Sequence, residues 1–301
     1  MRLAVTGGTG FVGARLLELA VAAGHQVNAL TRRPRKDREG IRWIDGSLED
    51  RGALTRLVDD ADAVIHVAGV ITARDPAAFE TGNVAGTLAV LAAATAAGLR
   101  RFVHVSSLAA REPALSHYGG SKARSEELVM RSGLDWIVVR PPAVYGPGDR
   151  ETLELFKAAA MGVVPLPPAG RLSLIHVDDL ARLLLALADP SAPSQRVLEP
   201  DDGRPGGYTH KEFASALADA QDRRAISFHV PAPLIRAGAR IDGLLRRSKS
   251  KLTADRAAYF CHPDWVVSPD KRPPAELWQP RIDADAGLRA TAEWYCKHGW
   301  L

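Results

Sequence analysis

The sequence predicts an α/β fold, in which a doubly wound parallel sheet carries helices on both faces and a small C-terminal lobe follows. Up to Glu199, short apolar runs alternate with longer stretches of helical periodicity. A glycine-rich turn follows the first of these runs. Beyond Glu199 the alternation stops, and glycine and proline cluster at residues 200–207 and near residues 263–280. Runs that are apolar on both faces are typical of a parallel sheet covered on both sides.

Most of the apolar runs are followed by a helical stretch, as in successive βαβ units. The predicted strands are residues 3–6, 27–31, 41–44, 63–67, 102–106, 136–140 and 172–175. The predicted helices are residues 11–23, 49–58, 84–97, 121–131, 152–161 and 177–188. The last predicted strand is expected to be the seventh of the sheet.

Composition narrows the class of protein. Of the 301 residues, 46% are apolar and 25% are charged, which is ordinary for a globular enzyme. The net charge of +4 is small for this length and favours a slightly basic soluble enzyme over a nucleic-acid-binding protein. Cys261 and Cys296 have no metal-ligand spacing, and the histidines form no such pattern. We therefore expect no metal and no disulfide framework.

The predicted location is the cytoplasm. Met1 runs directly into the first predicted strand, so no signal peptide is expected. No uninterrupted apolar stretch approaches the ~20 residues that span a bilayer. An integral membrane protein is therefore not expected.

The glycine-rich turn predicts a dinucleotide site. Residues 6–13 read TGGTGFVG and lie between the first strand and the first helix. Glycine at positions 7 and 10 lets the backbone turn tightly beside a phosphate, and Gly13 lets the helix pack closely. The helix N-terminus stabilises the pyrophosphate, which makes this a Rossmann-type domain. The expected cofactor contacts are Gly7, Thr9, Gly10, Phe11, Val12 and Gly13.

The spacing Gly-x-x-Gly-x-x-Gly resembles the short-chain dehydrogenase/reductase family. NAD-preferring members carry an acid at the end of the second strand, where this chain has Thr31 followed by Arg32 and Arg33. A guanidinium can bind the 2′-phosphate that a carboxylate would repel, so we expect NADP(H) to be favoured over NAD(H). The alternative is that both arginines are solvated loop charges. Ser47, beside Leu48, stands where relatives often carry an adenine-binding Asp.

Tyr118 and Lys122 match the family's Tyr-x-x-x-Lys motif. Residues four apart share one face of a helix, so the ammonium group can favour the tyrosine phenolate. The resemblance implies that Tyr118 transfers a proton to or from the substrate oxygen. A surface pair on a helix is the alternative.

Strand ends supply the remaining catalytic candidates. By resemblance, Ser107 polarises the substrate oxygen and Ser106 lies beside the nicotinamide. Residues 140–148, RPPAVYGPG, are closely similar to the extended branch's loop past the nicotinamide carboxamide, which implies cofactor contacts for Pro141 and Val144. The alternative for Ser107 is a polar strand cap, and the alternative for residues 140–148 is a rigid proline turn.

Three further residues match family segments. Ala68 lies in a loop that passes the cofactor ribose in relatives. Asn83 resembles the asparagine that steadies the active-site lysine, and it is also suited to cap a helix N-terminus. His176 is expected to be architectural. With the C-terminal segment, the resemblance to the extended branch covers the whole chain.

The predicted domains follow from this resemblance. Residues 1–148 and 172–200 are expected to form the NADP(H)-binding Rossmann domain. Residues 149–171 and 201–301 are expected to form the substrate-binding lobe, because residues 201–279 match the family least.

Three reactions are compatible with the motifs: an NADPH-dependent ketoreductase, an NAD-dependent nucleotide-sugar epimerase, and a non-enzymatic NADPH-binding subunit related to a complex I component. Epimerases usually carry the acid that is absent at Thr31. Leu108 and Ala109 stand where dehydratases of the family place acids. A non-enzymatic relative tolerates loss of the tyrosine or lysine. The ketoreductase is therefore favoured.

The substrate prediction depends on the segment 234–247. Leu234, Ala237, Ile241, Leu244 and Leu245 fall on one helical face, and Arg236, Arg240 and Arg247 fall on the other. Such a basic amphipathic helix can lie on an anionic membrane, although an apolar face packed on its own lobe is the commoner case. The chain looks similar to bacterial ceramide (3-oxo-sphingolipid) reductases, which implies a lipid substrate. A monomer and a homodimer formed through residues 84–97 and 121–131 are both compatible with the sequence.

Overall fold

The computed structural model of the chain describes residues 1–73, 75–246 and 253–301, in two compact units. Unit 1 comprises Met1–Pro141, Leu180–Glu199 and Pro273–Gln279. Unit 2 comprises Pro142–Asp179, Pro200–Arg272 and Pro280–Leu301. The assignment of the cofactor to one unit and of the substrate to the other stays a prediction.

A seven-stranded parallel sheet forms the centre of unit 1. Its strands are β1 (Arg2–Thr6), β2 (Gln26–Thr31), β3 (Ile41–Asp45), β4 (Ala63–His66), β5 (Arg101–Val105), β6 (Asp135–Val139) and β11 (Arg196–Leu198). Their order, β11-β6-β5-β4-β1-β2-β3, reverses direction beside β1. Ligands of doubly wound sheets bind outside the strand ends at such a reversal. The predicted α/β fold is confirmed.

Helices cover this sheet. They are α1 (Phe11–Ala22), α2 (Arg51–Val58), α3 (Pro76–Phe79), α4 (Gly86–Ala96), α5 (His117–Met130) and α7 (Val177–Ala188), the last of which begins in unit 2. Side chains of α2, α4 and the strands, such as Leu54, Val90 and Phe102, are buried together in one apolar core. This burial explains why the runs of the sequence are apolar on both faces.

The prediction that residues 172–175 form the seventh strand of the central sheet was wrong. These residues form β9 (Arg171–Leu172) and β10 (Leu174–His176) in two small sheets of unit 2, and β11 is the seventh strand of the central sheet. The run is interrupted at Ser173, whose backbone N–H donates to the carbonyl of Trp265. Apolar runs this short do not reveal which strand they will pair with.

Unit 2 is built from short elements around a second apolar core. Its remaining strands are β7 (Ala143–Tyr145), β8 (Val163–Leu166), β12 (Tyr208–Thr209), β13 (Ile226–His229) and β14 (Asp264–Trp265). Its helices are α6 (Leu153–Ala160), α8 (His210–Asp219), α9 (Ala232–Arg246), α10 (Ala254–Phe260) and α11 (Ala284–Lys297). Phe156, Leu217 and Tyr295 lie in that core.

One helical run in the described part of the chain is long and apolar enough to span a bilayer, by length and composition only. Pro76–Ala96 has 21 residues and is apolar enough by composition. It is one run because a π-helical turn, Glu80–Ala85, joins α3 to α4. Val90, Leu91 and Ala94 are buried in the core of unit 1, and a core helix passes the same length test. The run is therefore weak evidence for a membrane span.

Candidate active site

The glycine loop lies between β1 and α1, and the backbone packs closely around two of its glycines. Gly7 has a φ of +74°, and a Cβ there would lie 2.6 Å from the backbone nitrogen of Ala68. A Cβ on Gly13 would collide with the carbonyl oxygen of Gly7. Both positions therefore require glycine. Gly10 is the extended residue before α1, so the N–H groups of Phe11 and Val12 open the helix and can face an anion.

The loop after β2 carries the two predicted arginines. The Thr31 hydroxyl donates to the Arg33 carbonyl at 2.8 Å, which holds the turn, and the side chains of Arg32 and Arg33 are exposed.

A groove next to the glycine loop carries cations that sequence reasoning missed. It has a volume of about 360 Å³, and its lining includes Thr9, Arg35, Lys36, Arg38 and Trp43. The Arg35 guanidinium lies 5.1 Å from the centre of the Trp43 ring, a cation–π geometry. The density of basic residues between 32 and 38 was the available sequence signal.

The residues predicted to contact the adenine and the ribose lie in the loops after β3 and β4. The Ser47 hydroxyl accepts a hydrogen bond from the Glu49 backbone at 3.2 Å. Leu48 packs against the core of unit 1. The Ala68 N–H donates to the Thr6 hydroxyl at 3.2 Å, which holds the β4 loop against the end of β1.

Ser107 and Tyr118 are brought together in unit 1. Ser107 follows β5, and its hydroxyl accepts from the Ala109 backbone at 3.2 Å. Tyr118 stands in the first turn of α5, and its hydroxyl and that of Ser107 are hydrogen-bonded. Burial raises the pKa of Tyr118, and the hydrogen bond from Ser107 opposes that rise. The phenol is therefore held neutral, which is the form that can donate a proton.

Lys122 lies one turn further along α5 and is 4% exposed. Its ammonium donates to the Val105 carbonyl at 2.7 Å. Burial lowers the pKa of Lys122 to about 8, and the carboxylate of Glu126 opposes the fall. The lysine therefore remains mostly protonated at neutral pH but titrates in an accessible range.

A buried ionic network that the sequence did not reveal lies beneath these residues. The Ser106 hydroxyl donates to Glu126 Oε1 at 2.5 Å. Arg140 donates to both oxygens of Glu126, with a shortest distance of 2.6 Å, and reaches Glu199 at 3.4 Å. Arg111 lies 3.9 Å from Glu199. With Lys122 bound at Val105 and Glu126 at Ser106, α5 holds the end of β5 at two points, immediately before Ser107.

Asn83 lies inside the helical run rather than at its start, so the predicted helix N-cap was wrong. Asp75 caps α3, because its side chain accepts from the Ala77 backbone. The Asn83 amide donates to the Ser121 hydroxyl at 2.8 Å and also binds both backbone groups of Val70. Asn83 therefore ties the loop after β4 to α5, the helix that carries Lys122.

Two buried histidines support the strands behind the site. His66 binds the hydroxyls of Thr6 and Thr87 at 2.7 and 3.0 Å and stacks on His104 at 5.4 Å. Burial, and then the charge of Lys122, lowers the pKa of His66 to about 3. Burial also lowers the pKa of His104, so both rings are neutral in the working pH range.

The remaining predicted positions belong to different units. In unit 1, the Pro141 carbonyl accepts from the Leu108 backbone at 3.0 Å. In unit 2, Val144 lies in β7, and His176 packs edge-on to Tyr145 at 5.4 Å. Within residues 1–73, 75–246 and 253–301, no group of three or more potential ligands is placed to hold a metal ion.

A family model described as the NAD dependent epimerase/dehydratase family matches residues 3–198. The chain belongs to this family. These enzymes are the extended short-chain dehydrogenases/reductases that the motifs indicate, so the predicted family is confirmed. As a member, the protein is an NAD(P)-dependent oxidoreductase.

Relatives within the family are named as reductases. A ceramide reductase of Caulobacter vibrioides is 38% identical over 309 residues, which cover 99% of this chain and 96% of the relative. The 4-hydroxy-2-methyl-3-oxo-4-farnesyl-3,4-dihydroquinoline-1-oxide ketoreductase of Stigmatella aurantiaca is 32% identical, with 96% and 95% covered. These names support a ketoreductase.

Solved family structures have the same fold. The Bordetella bronchiseptica enzyme WbmG in complex with NAD superimposes with a TM-score of 0.76 over 100% of this chain and 95% of that structure. Its sequence is 22% identical, so the likeness concerns the fold alone.

Proposed function

We propose that this protein is an NADPH-dependent ketoreductase that acts on a lipid such as a 3-oxo-sphingolipid. The observation that carries the proposal is the hydrogen bond between Tyr118 and Ser107, with the Lys122 ammonium one helical turn away. Two relatives support the lipid, since one is named for ceramide and the other for a farnesyl compound.

The proposed reaction is the reduction of a ketone to an alcohol. NADPH, when bound, supplies the hydride that goes to the carbonyl carbon. The Ser107 hydroxyl hydrogen-bonds to the carbonyl oxygen, and the neutral Tyr118 phenol gives that oxygen its proton. Lys122 stabilises the phenolate that remains, because its positive charge lies on the same face of α5. One hydride and one proton account for the product.

The proposed preference for NADPH follows from charge. No acid stands at Thr31, and Arg32 and Arg33 follow it. The groove cations Arg35, Lys36 and Arg38 add positive charge next to Thr9. A 2′-phosphate is stabilised by such cations, whereas the 2′-hydroxyl of NAD(H) gains little from them.

We also propose a cytoplasmic enzyme, monomeric or homodimeric, that contacts a membrane through the basic helix α9. Leu234, Ala237 and Ile241 are exposed. For these residues the alternative of an apolar face packed on its own lobe was therefore wrong: α9 packs through its opposite side, where Ala239 is buried. The side chains of Leu244, Leu245 and Arg247 lie outside the described part of the chain.

The test is NADPH consumption over a panel of ketones that includes long-chain 3-oxo lipids and water-soluble ketones. We expect turnover of a 3-oxo lipid with NADPH and much slower turnover with NADH. Turnover of water-soluble ketones alone would contradict the lipid substrate, and equal rates with NADH would contradict the cofactor preference.

A further inference from the structure

Unit 2 exposes apolar side chains on a two-stranded parallel sheet. In it, Val163 of β8 pairs with Ile226 of β13, and two residues further along Phe228 is also exposed. The exposed fractions are 48% for Val163, 75% for Ile226 and 49% for Phe228. On β8 the intervening Val164 is fully buried, so one face packs in the core while the other carries apolar groups into solvent. A solvent-facing strand normally presents polar side chains there. We call Val163, Ile226 and Phe228 the apolar edge.

Helix α9 follows β13 in the chain and exposes further apolar side chains. Only Val230 and Pro231 separate β13 from α9, so the strand and the first turn of the helix are neighbours by connectivity. Leu234 is 63% exposed and Ile241 is 55% exposed. Leu234, Ala237 and Ile241 are spaced at i, i+3 and i+7 and form one stripe, which we call the helix stripe.

The charged residues near the apolar edge and the helix stripe indicate which kind of partner this surface fits. Arg223, Arg224, Arg236 and Arg240 are exposed, whereas the acids of residues 221–242 are Asp222 and Asp242. The Asp222 carboxylate is 3.2 Å from the Arg289 guanidinium, with which it forms an exposed ion pair. In the segment 221–242, positive charge therefore exceeds negative charge next to the exposed apolar side chains.

An anionic lipid surface complements this arrangement, because it offers apolar chains beneath negative headgroups. A second copy of the chain complements it poorly. A two-fold contact places the same patch on both partners, so the arginines of one copy would face those of the other.

We propose that the apolar edge and the helix stripe together dock on an anionic lipid bilayer, with the four arginines at the headgroups. The inference builds on the proposed lipid substrate, since docking would hold the enzyme where such a substrate resides. Vesicle binding is nevertheless measured without any substrate.

The experiment is co-sedimentation of the full chain with vesicles of phosphatidylcholine alone and of phosphatidylcholine mixed with phosphatidylglycerol. We expect binding to the anionic vesicles that weakens with salt. Ile226→Ser/Phe228→Ser should reduce vesicle affinity by roughly tenfold or more, because burial of the exposed parts of the two side chains together is worth at least about a factor of ten. Leu88→Ser is the matched control, since Leu88 is 54% exposed in unit 1. It should bind as the wild type does.

Three outcomes overturn the inference. One is the absence of sedimentation with anionic vesicles, and another is equal loss of binding in Leu88→Ser. The third is a dimer in solution that Ile226→Ser/Phe228→Ser dissociates, which would assign the surface to a second copy. Circular dichroism checks that each variant is folded. Failure of the lipid substrate appears separately, as vesicle binding without turnover of any 3-oxo lipid.

Discussion

The two units use their residues in opposite ways. In unit 1, polar and charged groups such as Lys122, Glu126 and Glu199 are buried, and each has a hydrogen-bond or ion-pair partner within the unit. In unit 2, apolar groups such as Ile226 and Leu234 are exposed. Burying a charge costs free energy unless it is paired, and exposing an apolar side chain forgoes its transfer free energy. The buried charges are explained if unit 1 performs the chemistry, and the exposed apolar groups are explained if unit 2 binds the lipid surface.

The largest expected effect is in unit 1. Tyr118→Phe removes the hydroxyl that donates the proton while it keeps the ring, so ketone reduction should fall by ~10²–10⁴-fold. Cofactor affinity, measured by fluorescence titration, should change little. Tyr259→Phe is the control, because the Tyr259 ring stacks on Trp265 in unit 2. Retention of turnover within tenfold of the wild type would remove Tyr118 from the mechanism.

The second effect concerns the cofactor. Arg32→Asp should reverse the preference for NADPH over NADH, since a carboxylate repels the 2′-phosphate. A charge-assisted hydrogen bond is worth about 1.5–3 kcal/mol, so NADPH affinity should fall by at least about tenfold. Arg131→Asp, at an exposed position after α5, is the charge-matched control. Unchanged affinity in Arg32→Asp would shift the assignment to Arg33 or to the cationic groove.

The third effect is a change of pH profile. The Glu126 carboxylate raises the pKa of Lys122, so Glu126→Gln should lower that pKa below its value of about 8. Reduction, which needs the protonated lysine, should then decline at a lower pH than in the wild type. The measurement is kcat against pH. Glu127→Gln is the control, because Glu127 is the exposed neighbour. If kcat falls by the same factor at every pH and the profile does not move to lower pH, Glu126 has a merely structural role.

The smallest effect belongs to unit 2. Leu234→Ser should slow the reduction of a vesicle-embedded 3-oxo lipid by only a few-fold, because the helix stripe has other members. Turnover of a soluble ketone should be unchanged. A similar loss with both substrates would contradict the separation of roles between the units.

The sequence predicted the local motifs of unit 1 better than its long-range contacts. The glycine loop and the Tyr118–Lys122 pair are local motifs, whose spacing along one element determines their geometry. The Ser106–Glu126–Arg140–Glu199 network joins side chains from well-separated parts of the chain. No spacing in the sequence indicates which of many arginines and glutamates will meet in this way.

Unit 2 was less predictable because its elements are short. The pairing of β13 with β8 joins residues that are 63 positions apart at Val163 and Ile226. The periodicity of α9 correctly grouped Leu234, Ala237 and Ile241, but periodicity does not state which side of a helix faces its own core. Asn83 shows the same limit, since a residue type suited to capping was placed inside a helical run.

The most direct test of ketone reduction at this site is isotope transfer. The enzyme is incubated with NADPH that carries deuterium at the transferred position and with a long-chain 3-oxo lipid, and the product is analysed by mass spectrometry. The account predicts an alcohol with one deuterium on the carbinol carbon, formed at least about a hundredfold more slowly when Tyr118→Phe replaces the wild type. An epimerase would return the hydride, so label retained on the cofactor beside an isomerised substrate would contradict it.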